Sequence, residues 1–334
     1  MTITAAPPVN AGRRRKRAGV TVLVWLLFVL PMAAWAVIRF GGWERGPLVQ
    51  LFAFTPYVAA WAVVSALIVV FSRRWLGASI AMVAAALLVV GVLPRMMTDR
   101  DPGPAAGVEV HVMTANVLAG GGDVDTIVRL VRDHDVAVLA LQELTPAIKT
   151  RLTEAGLDRL LPYSSLAAEV GTSGSAVYSR FPITGIGSRR NGGGFLQAYG
   201  TVQPPGAGPI AIESAHPVAP YDVRILGEWR ADLASEPRPD PNGTPRILLG
   251  DFNSTLDHKP LRDLIASGYR DAAAADGSGL VATWGPYDGD PIPPVTIDHV
   301  LVDRRIGVRD VAVHGVPRSD HRSIIASLTV PAAS

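Results

Sequence analysis

"LLGDFNSTLD", residues 248–257, runs apolar into Asp251 and sets Asn253 two places on. A buried strand gains nothing by ending on a carboxylate and an amide, because burying either costs free energy unless it finds partners. The stretch therefore points to polar groups gathered at a strand end, and other parts of the chain repeat the pattern. "VEVHVMTAN" (108–116) alternates like a strand and stops on Asn116, and "VAVLALQE" (136–143) is a buried strand that stops on Glu143. "PIAIESAH" (209–216) stops on His216, "VTIDHVLVD" (295–303) carries Asp298, and "SDHRSIIASLTV" (319–330) opens with Asp320 and His321. Further strands are predicted at 174–180, 195–202 and near 308–313. Helices are predicted over 123–135, after Pro146, around 222–235 and over 259–267, where caps and apolar spacing agree. Many strands with a few interspersed helices predict an α/β domain of two packed sheets with helices outside. No internal repeat is legible.

The chemistry of these strand ends suits hydrolysis of a phosphate ester or anhydride. Glu143, with Asn116 and Asp320, offers the hard oxygen ligands that Mg²⁺, Mn²⁺ or Ca²⁺ prefer. His321 is a candidate base, with Asp298 to orient its other nitrogen. Asn253 and His216 are candidate donors to phosphoryl oxygens, and Asp251 is placed to position water or protonate a leaving group. Taken singly, each has an ordinary explanation as a turn residue or helix cap. Six strand ends of this type in succession argue for one cleft. Trp284 and Tyr287 suit loop packing better than a substrate mouth. Arg189 and Arg190, beside "NGGG", suit a solvated turn at least as well as an anionic headgroup site. His111, His134, His258 and His314 read as structural or exposed.

Composition divides the chain. Hydrophobic residues make up 49% and mean hydropathy is +0.27. The excess lies in three apolar runs, residues 20–38, 48–71 and 76–93, each near the roughly 20 residues that cross a bilayer. Ten Lys/Arg and one acid (Glu44) precede Thr98, whereas 21 Lys/Arg face 28 Asp/Glu from Thr98 onward, giving +9 and −7. Basic residues cluster at 13–17 and at Arg73 and Arg74, against Arg39, Arg45, Arg95 and Arg100 on the other side. This asymmetry predicts a cytoplasmic N-terminus and an extracytoplasmic large domain. The expected organisation is a basic cytoplasmic N-terminus (1–19), a three-helix transmembrane anchor (20–97), a linker (98–107) and a catalytic domain (108–334). The chain has no cysteine, which excludes disulfides, thiolate metal sites and cysteine nucleophiles.

"TAN", "LQEL", "GSAVYSR", "SAH", "GDFN", "IDHVLV" and "SDH" together resemble the successive motifs of the endonuclease/exonuclease/phosphatase superfamily, whose members include DNase I, exonuclease III, neutral sphingomyelinases and inositol polyphosphate 5-phosphatases. The likeness covers residues 108–330. It implies a four-layered α/β sandwich, metal ligation by Asn116 and Glu143 with Asp320 near the metal, and phosphate contact by His216 and Asn253. It further implies catalytic assistance from Asp251 and a His321–Asp298 base and orienter. His299 and "HPVAP" depart from the nuclease pattern. With its apolar runs, the chain resembles membrane-bound actinobacterial members of the VanJ-type teicoplanin-resistance branch. The expectation is a membrane-anchored phosphohydrolase acting on a phosphorylated lipid or lipid-linked envelope precursor. A tethered nuclease is the alternative, disfavoured because tracking a nucleic acid backbone needs basic surface and this domain is acidic. A non-catalytic sensor or scaffold ranks last, since the candidate set is whole.

Overall fold

The computed structural model describes residues 18–99, 103–104, 106–285 and 291–333. The basic run at 13–17, Arg100 and Tyr287 lie outside the described residues. Two compact units are present: residues 18–43 with Thr55–Val92, and Glu44–Phe54 with Leu93 onward.

The first unit consists of the helices Ala18–Gly41, Thr55–Phe71 and Trp75–Val92. The first, of 24 residues, and the third, which continues to Met96 for 22, are long and apolar enough to cross a membrane, with mean hydropathies of 2.4 and 2.5. Thr55–Phe71 has 17 residues, slightly under the roughly 20 of an untilted span. The apolar run 48–71 is not one helix. Leu48–Phe52 is a separate short helix that belongs to the second unit, where Val49 is wholly buried among Trp229, Phe252 and Leu261. Small buried residues (Ala59, Ala62 and Ala66; Ala78, Ala81 and Ala85) let helices approach closely. Leu67, Phe71, Leu76, Val83 and Val90 remain exposed, an apolar surface of the kind that meets lipid or protein.

The second unit carries two six-stranded sheets. One contains β1 (Val108–Asn116), β2 (Val138–Gln142), β3 (Tyr163–Ala167), β4 (Ser175–Ser179), β11 (Gly307–Gly315) and β12 (Arg322–Val330), in the order β11-β12-β1-β2-β4-β3. The other contains β5 (Ile183–Arg190), β6 (Leu196–Val202), β7 (Ile210–Ala215), β8 (Arg246–Asp251), β9 (Tyr269–Asp271) and β10 (Asp298–Asp303), in the order β5-β6-β7-β8-β10-β9. Advancing each label of the first order by six yields the second. The halves β1–β6 and β7–β12 are thus a topological repeat that leaves no repeated sequence, and each lends its last two strands to the other's sheet. Each sheet has a parallel pair at its centre, β1–β2 and β7–β8. The C-terminal ends of both pairs open at one edge, where antiparallel β10 and β12 begin.

Period-two alternation assigns the faces. Val110, Val112, Val138 and Ala140 point between the sheets, toward Ile210, Ile212, Ile247 and Leu249. Met113, Leu139 and Leu141 point outward against Ile127 and Val131 of helix Val124–Asp133 and Ile148 and Leu152 of helix Pro146–Glu154. On the far side Leu248 and Leu301 meet Trp229 and Leu233 of helix Leu226–Ser235 and Leu261 and Leu264 of helix Lys259–Ala266. The four layers expected from the sequence are present.

Beneath the open edge a polar bridge joins the sheets. Thr114 Oγ1 donates to Gln142 Oε1 at 3.2 Å, Gln142 Nε2 donates to Ser214 Oγ at 2.9 Å, and Ser214 Oγ donates to the Leu141 carbonyl at 3.1 Å. All three side chains are buried, so each bond replaces hydration that folding removed, and together they fix the register between layers.

Candidate active site

The opening stretch folds as its composition demands. Gly250 is required because a Cβ there would lie 1.9 Å from the Ala215 carbonyl oxygen of β7. Asp251 ends β8, and its Oδ1 accepts the Asn253 N–H at 2.8 Å, closing a tight turn. Asn253 takes the left-handed conformation (φ 47°), which Asn tolerates better than most residues. Phe252 points the other way into the outer core and is fully buried. The turn is thereby pinned from both sides, with two polar side chains held at the edge. Glu143, just past β2, is also left-handed (φ 61°), a strain of the sort that persists only where surrounding structure imposes it.

All eight residues predicted from the sequence gather at this edge. Asn116 Nδ2 donates to Glu143 Oε1 at 3.2 Å and to Asp251 Oδ2 at 3.1 Å, bridging the two sheets. Its Oδ1 accepts from Leu118 N at 2.9 Å, so the amide acts here as a donor between carboxylates. Glu143 Oε2 accepts from Ala119 N at 2.5 Å. His321 Nδ1 lies 2.9 Å from Asp298 Oδ2, and its Nε2 lies 3.6 Å from Asp251 Oδ2 and 3.9 Å from Asp320 Oδ1. His216 Nε2 is 3.7 Å from Asp251 Oδ2. Asn253 Nδ2 donates to the Pro217 carbonyl at 3.0 Å, which leaves one amide hydrogen for another acceptor.

Six of the eight line a single cavity of about 520 Å³: Glu143, His216, Asp251, Asn253, Asp320 and His321. Asn116 and Asp298 stand behind them, where a positioning group belongs. Asp298 is held by its backbone N–H on Thr283 Oγ1 at 3.0 Å. Asp320 is held by Trp284 Nε1 at 2.9 Å. Trp284 therefore lines the cleft as well as packing its loop. Ser319 Oγ donates to the Asn116 carbonyl at 2.8 Å, tying the "SDH" turn to β1. Thr283, Ser319 and Gln142 were not singled out from sequence, since nothing in their local pattern marks them. Arg189 takes neither role considered for it: it pairs with buried Glu213 and Glu236 at 2.6 and 2.9 Å. Arg190 pairs with Glu169 at 2.8 Å. His258 is buried.

Charge is unbalanced in the cleft. Burial raises the pKa of Glu143 and of Asp251, and burial lowers that of His216 to about 4. Burial would also lower His321, but Asp298 and Asp251 outweigh it and raise the ring to about 10. Asp251, Asp298 and His321 bring ligand atoms within 4.8 Å of one another. Asp298 is occupied with His321 and turned away from the cavity, so this trio reads as a proton-handling chain. A divalent ion fits the remaining donors. Among the described residues Asp320 Oδ1 is buried without a hydrogen-bond partner, and the cleft presents hard oxygen atoms with surplus negative charge. Such an ion would offset the carboxylate field that keeps His321 protonated.

The model of the endonuclease/exonuclease/phosphatase family matches residues 113–321. The chain belongs to this family. Its members are metal-dependent hydrolases of phosphoesters, and the match runs from β1 to His321, taking in every candidate residue. Similar solved structures include a family protein from Beutenbergia cavernae, at 19% identity and TM-score 0.52, covering 67% of this chain and 72% of that one. Another from Leptotrichia buccalis has 17% identity and TM-score 0.53, covering 66% and 99%. Truncated TDP2 from Caenorhabditis elegans has 17% identity and TM-score 0.51, covering 66% and 98%. At these identities they speak for the fold. No curated protein matches the chain.

Proposed function

We propose that this chain is a membrane-anchored, metal-dependent phosphohydrolase that cleaves a phosphate ester or pyrophosphate bond of a phosphorylated lipid, of the polyprenyl pyrophosphate type, at the outer face of the membrane. The observation that carries this reading is the cleft itself, whose floor is His216, Asp251, Asn253 and His321 and whose walls include Leu118, Phe195, Ile292 and Val295. Such a cleft suits a phosphate joined to an apolar body. Glu143 and Asp320, with Asn116 beside Glu143, would hold Mg²⁺, Mn²⁺ or Ca²⁺. The bound ion supplies charge that offsets the phosphoryl oxygens.

The chain's own groups do the rest. Asp298 holds His321 Nδ1 so that Nε2 faces the cavity and takes the proton of attacking water. Neutral His216 and the free hydrogen of Asn253 donate to non-bridging oxygens as charge builds up on them. Asp251, whose pKa is raised, is suited to protonate the leaving oxygen. The apolar helices at Ala18–Gly41, Thr55–Phe71 and Trp75–Met96 serve as three spans in this reading, with the N-terminus cytoplasmic. The tether raises the effective concentration of a membrane-resident substrate.

Competition tests the substrate class. The intact protein in detergent receives a polyprenyl pyrophosphate and a DNA duplex together, with Mg²⁺ or Mn²⁺. Phosphate release with intact DNA is expected. Nicking of the DNA without lipid turnover would transfer the protein to the nucleases of the family.

A further inference from the structure

We propose that Glu44–Phe54, which separates two apolar helices in the sequence, is a specificity element of the cleft, and that its Ala53 and Phe54 wall a subsite for the hydrocarbon part of the substrate. The inference rests on the hydrolase reading above and adds to it a determinant outside the strand-end motifs. The segment is built into the unit that holds the site. His258 Nδ1 accepts the Thr255 N–H at 2.9 Å, so the ring proton sits on Nε2, which donates to the Val49 carbonyl at 2.8 Å. Lys259 N donates to Glu44 Oε1 at 2.6 Å, and Arg230 donates to the Glu44 carbonyl at 2.9 Å. Gln50 Nε2 donates to the Pro220 carbonyl at 2.8 Å, four residues past His216. Val49 packs with Trp229, Phe252 and Leu261. Two of these bonds, from His258 and Lys259, come from the turn Thr255–Lys259, which closely follows Asp251 and Asn253.

At its end the segment delivers Gln50, Ala53 and Phe54 to the same cavity that the site residues floor. Tyr221, Ile292 and Leu118 also line that cavity, and they remain 72%, 46% and 40% exposed. Apolar surface left open beside a phosphate-binding floor is costly to keep in water and is covered when a hydrocarbon chain enters. Hydrogen bonds at Glu44, Val49 and Gln50 help dock the segment. Substitution at Ala53 or Phe54 therefore alters the wall while leaving those bonds in place.

The test compares farnesyl diphosphate with dimethylallyl diphosphate, which share a headgroup and differ in tail length. Phosphate release is measured with the intact protein in detergent and Mn²⁺, for wild type, Phe54→Ala and Ala53→Trp. Wild type is expected to favour the longer tail. Each variant should cut the ratio of kcat/KM values (farnesyl over dimethylallyl) by about tenfold, about 1.4 kcal/mol, mainly through a higher KM for farnesyl diphosphate. A ratio within twofold of wild type in both variants would overturn the proposal and leave the hydrolase reading standing. Wild type that releases phosphate from neither compound would overturn both.

Discussion

Exchanging Glu143 for Gln keeps the side chain's size and removes its charge, so the structure sets what should follow. Both carboxylate oxygens accept bonds, Oε2 from Ala119 N at 2.5 Å and Oε1 from Asn116 Nδ2 at 3.2 Å. Gln offers one acceptor and one donor group, so one of those donors must then face another. A hydrogen bond to a charged group contributes about 1.5–3 kcal/mol. Relief from burying a charge, the main reason the Glu143 pKa is raised, returns part of that. A net loss of about 1–2 kcal/mol lowers Tm by about 2–8 °C in a domain of this size. Activity should fall much further. A metal's contribution of several kcal/mol, at tenfold per 1.4 kcal/mol, makes the loss about a hundredfold or more. The assay pairs turnover with thermal denaturation of the intact protein in detergent, with and without Mn²⁺. An ion at a hundred times its Kd stabilises the folded state by about 2.7 kcal/mol, and that increment should shrink in the variant. Wild-type turnover together with a wild-type Mn²⁺-induced rise in Tm would refute the placement of the ion.

Three further outcomes are expected. Ser214→Ala leaves buried Gln142 Nε2 without its acceptor, a cost of about 1–3 kcal/mol; a thermal melt within about 1 °C of wild type would contradict the inter-sheet bridge. His258 is neutral in the fold because burial lowers its pKa from 6.5, so its stabilisation is complete above that value and is lost as pH falls below it, when a proton on Nδ1 displaces the Thr255 N–H. Hydrogen exchange, corrected for intrinsic rates, should show residues 44–54 losing protection relative to β1 between about pH 7 and pH 5, and equal protection at both would contradict it. Alkaline phosphatase fused after Pro94 should be active and a fluorescent protein there dark, the reverse pattern refuting an extracytoplasmic domain.

The layers and the strand ends were legible because each depends on local signals. Alternation in 108–116 and the continuous apolar run in 246–251 mark strands, and a polar residue closing a buried run stands out against its neighbours. Edge strands were less visible. β5 carries Gly, Ser and Arg on exposed positions, and β3 buries Ser165 while exposing Tyr163 and Leu166, so no apolar alternation announces them. The topological repeat was invisible, since it resides in connection order. Helix Leu48–Phe52 was merged into an apolar run because composition cannot separate residues that face a protein core from residues that face lipid. Gln142, Ser319 and Thr283 owe their roles to partners 72, 203 and 15 residues away, and no local pattern encodes such distances. Asn116 was expected as a ligand, and its partners, Glu143 and Asp251 on Nδ2 and Leu118 N on Oδ1, come from three separate parts of the chain that no local pattern joins.

Hydrolysis of bis(p-nitrophenyl) phosphate tests most directly whether these strand ends form one metal-dependent site, because the compound asks nothing of the apolar walls. The intact protein should release nitrophenol with Mg²⁺ or Mn²⁺, stop on addition of EDTA and resume when the ion is restored. His321→Ala, which removes the base while leaving Glu143 and Asp320 in place, should lower the rate by about 10²–10⁴-fold and keep the ion-induced rise in Tm. A rate indifferent to EDTA, or unchanged in His321→Ala, would contradict the account.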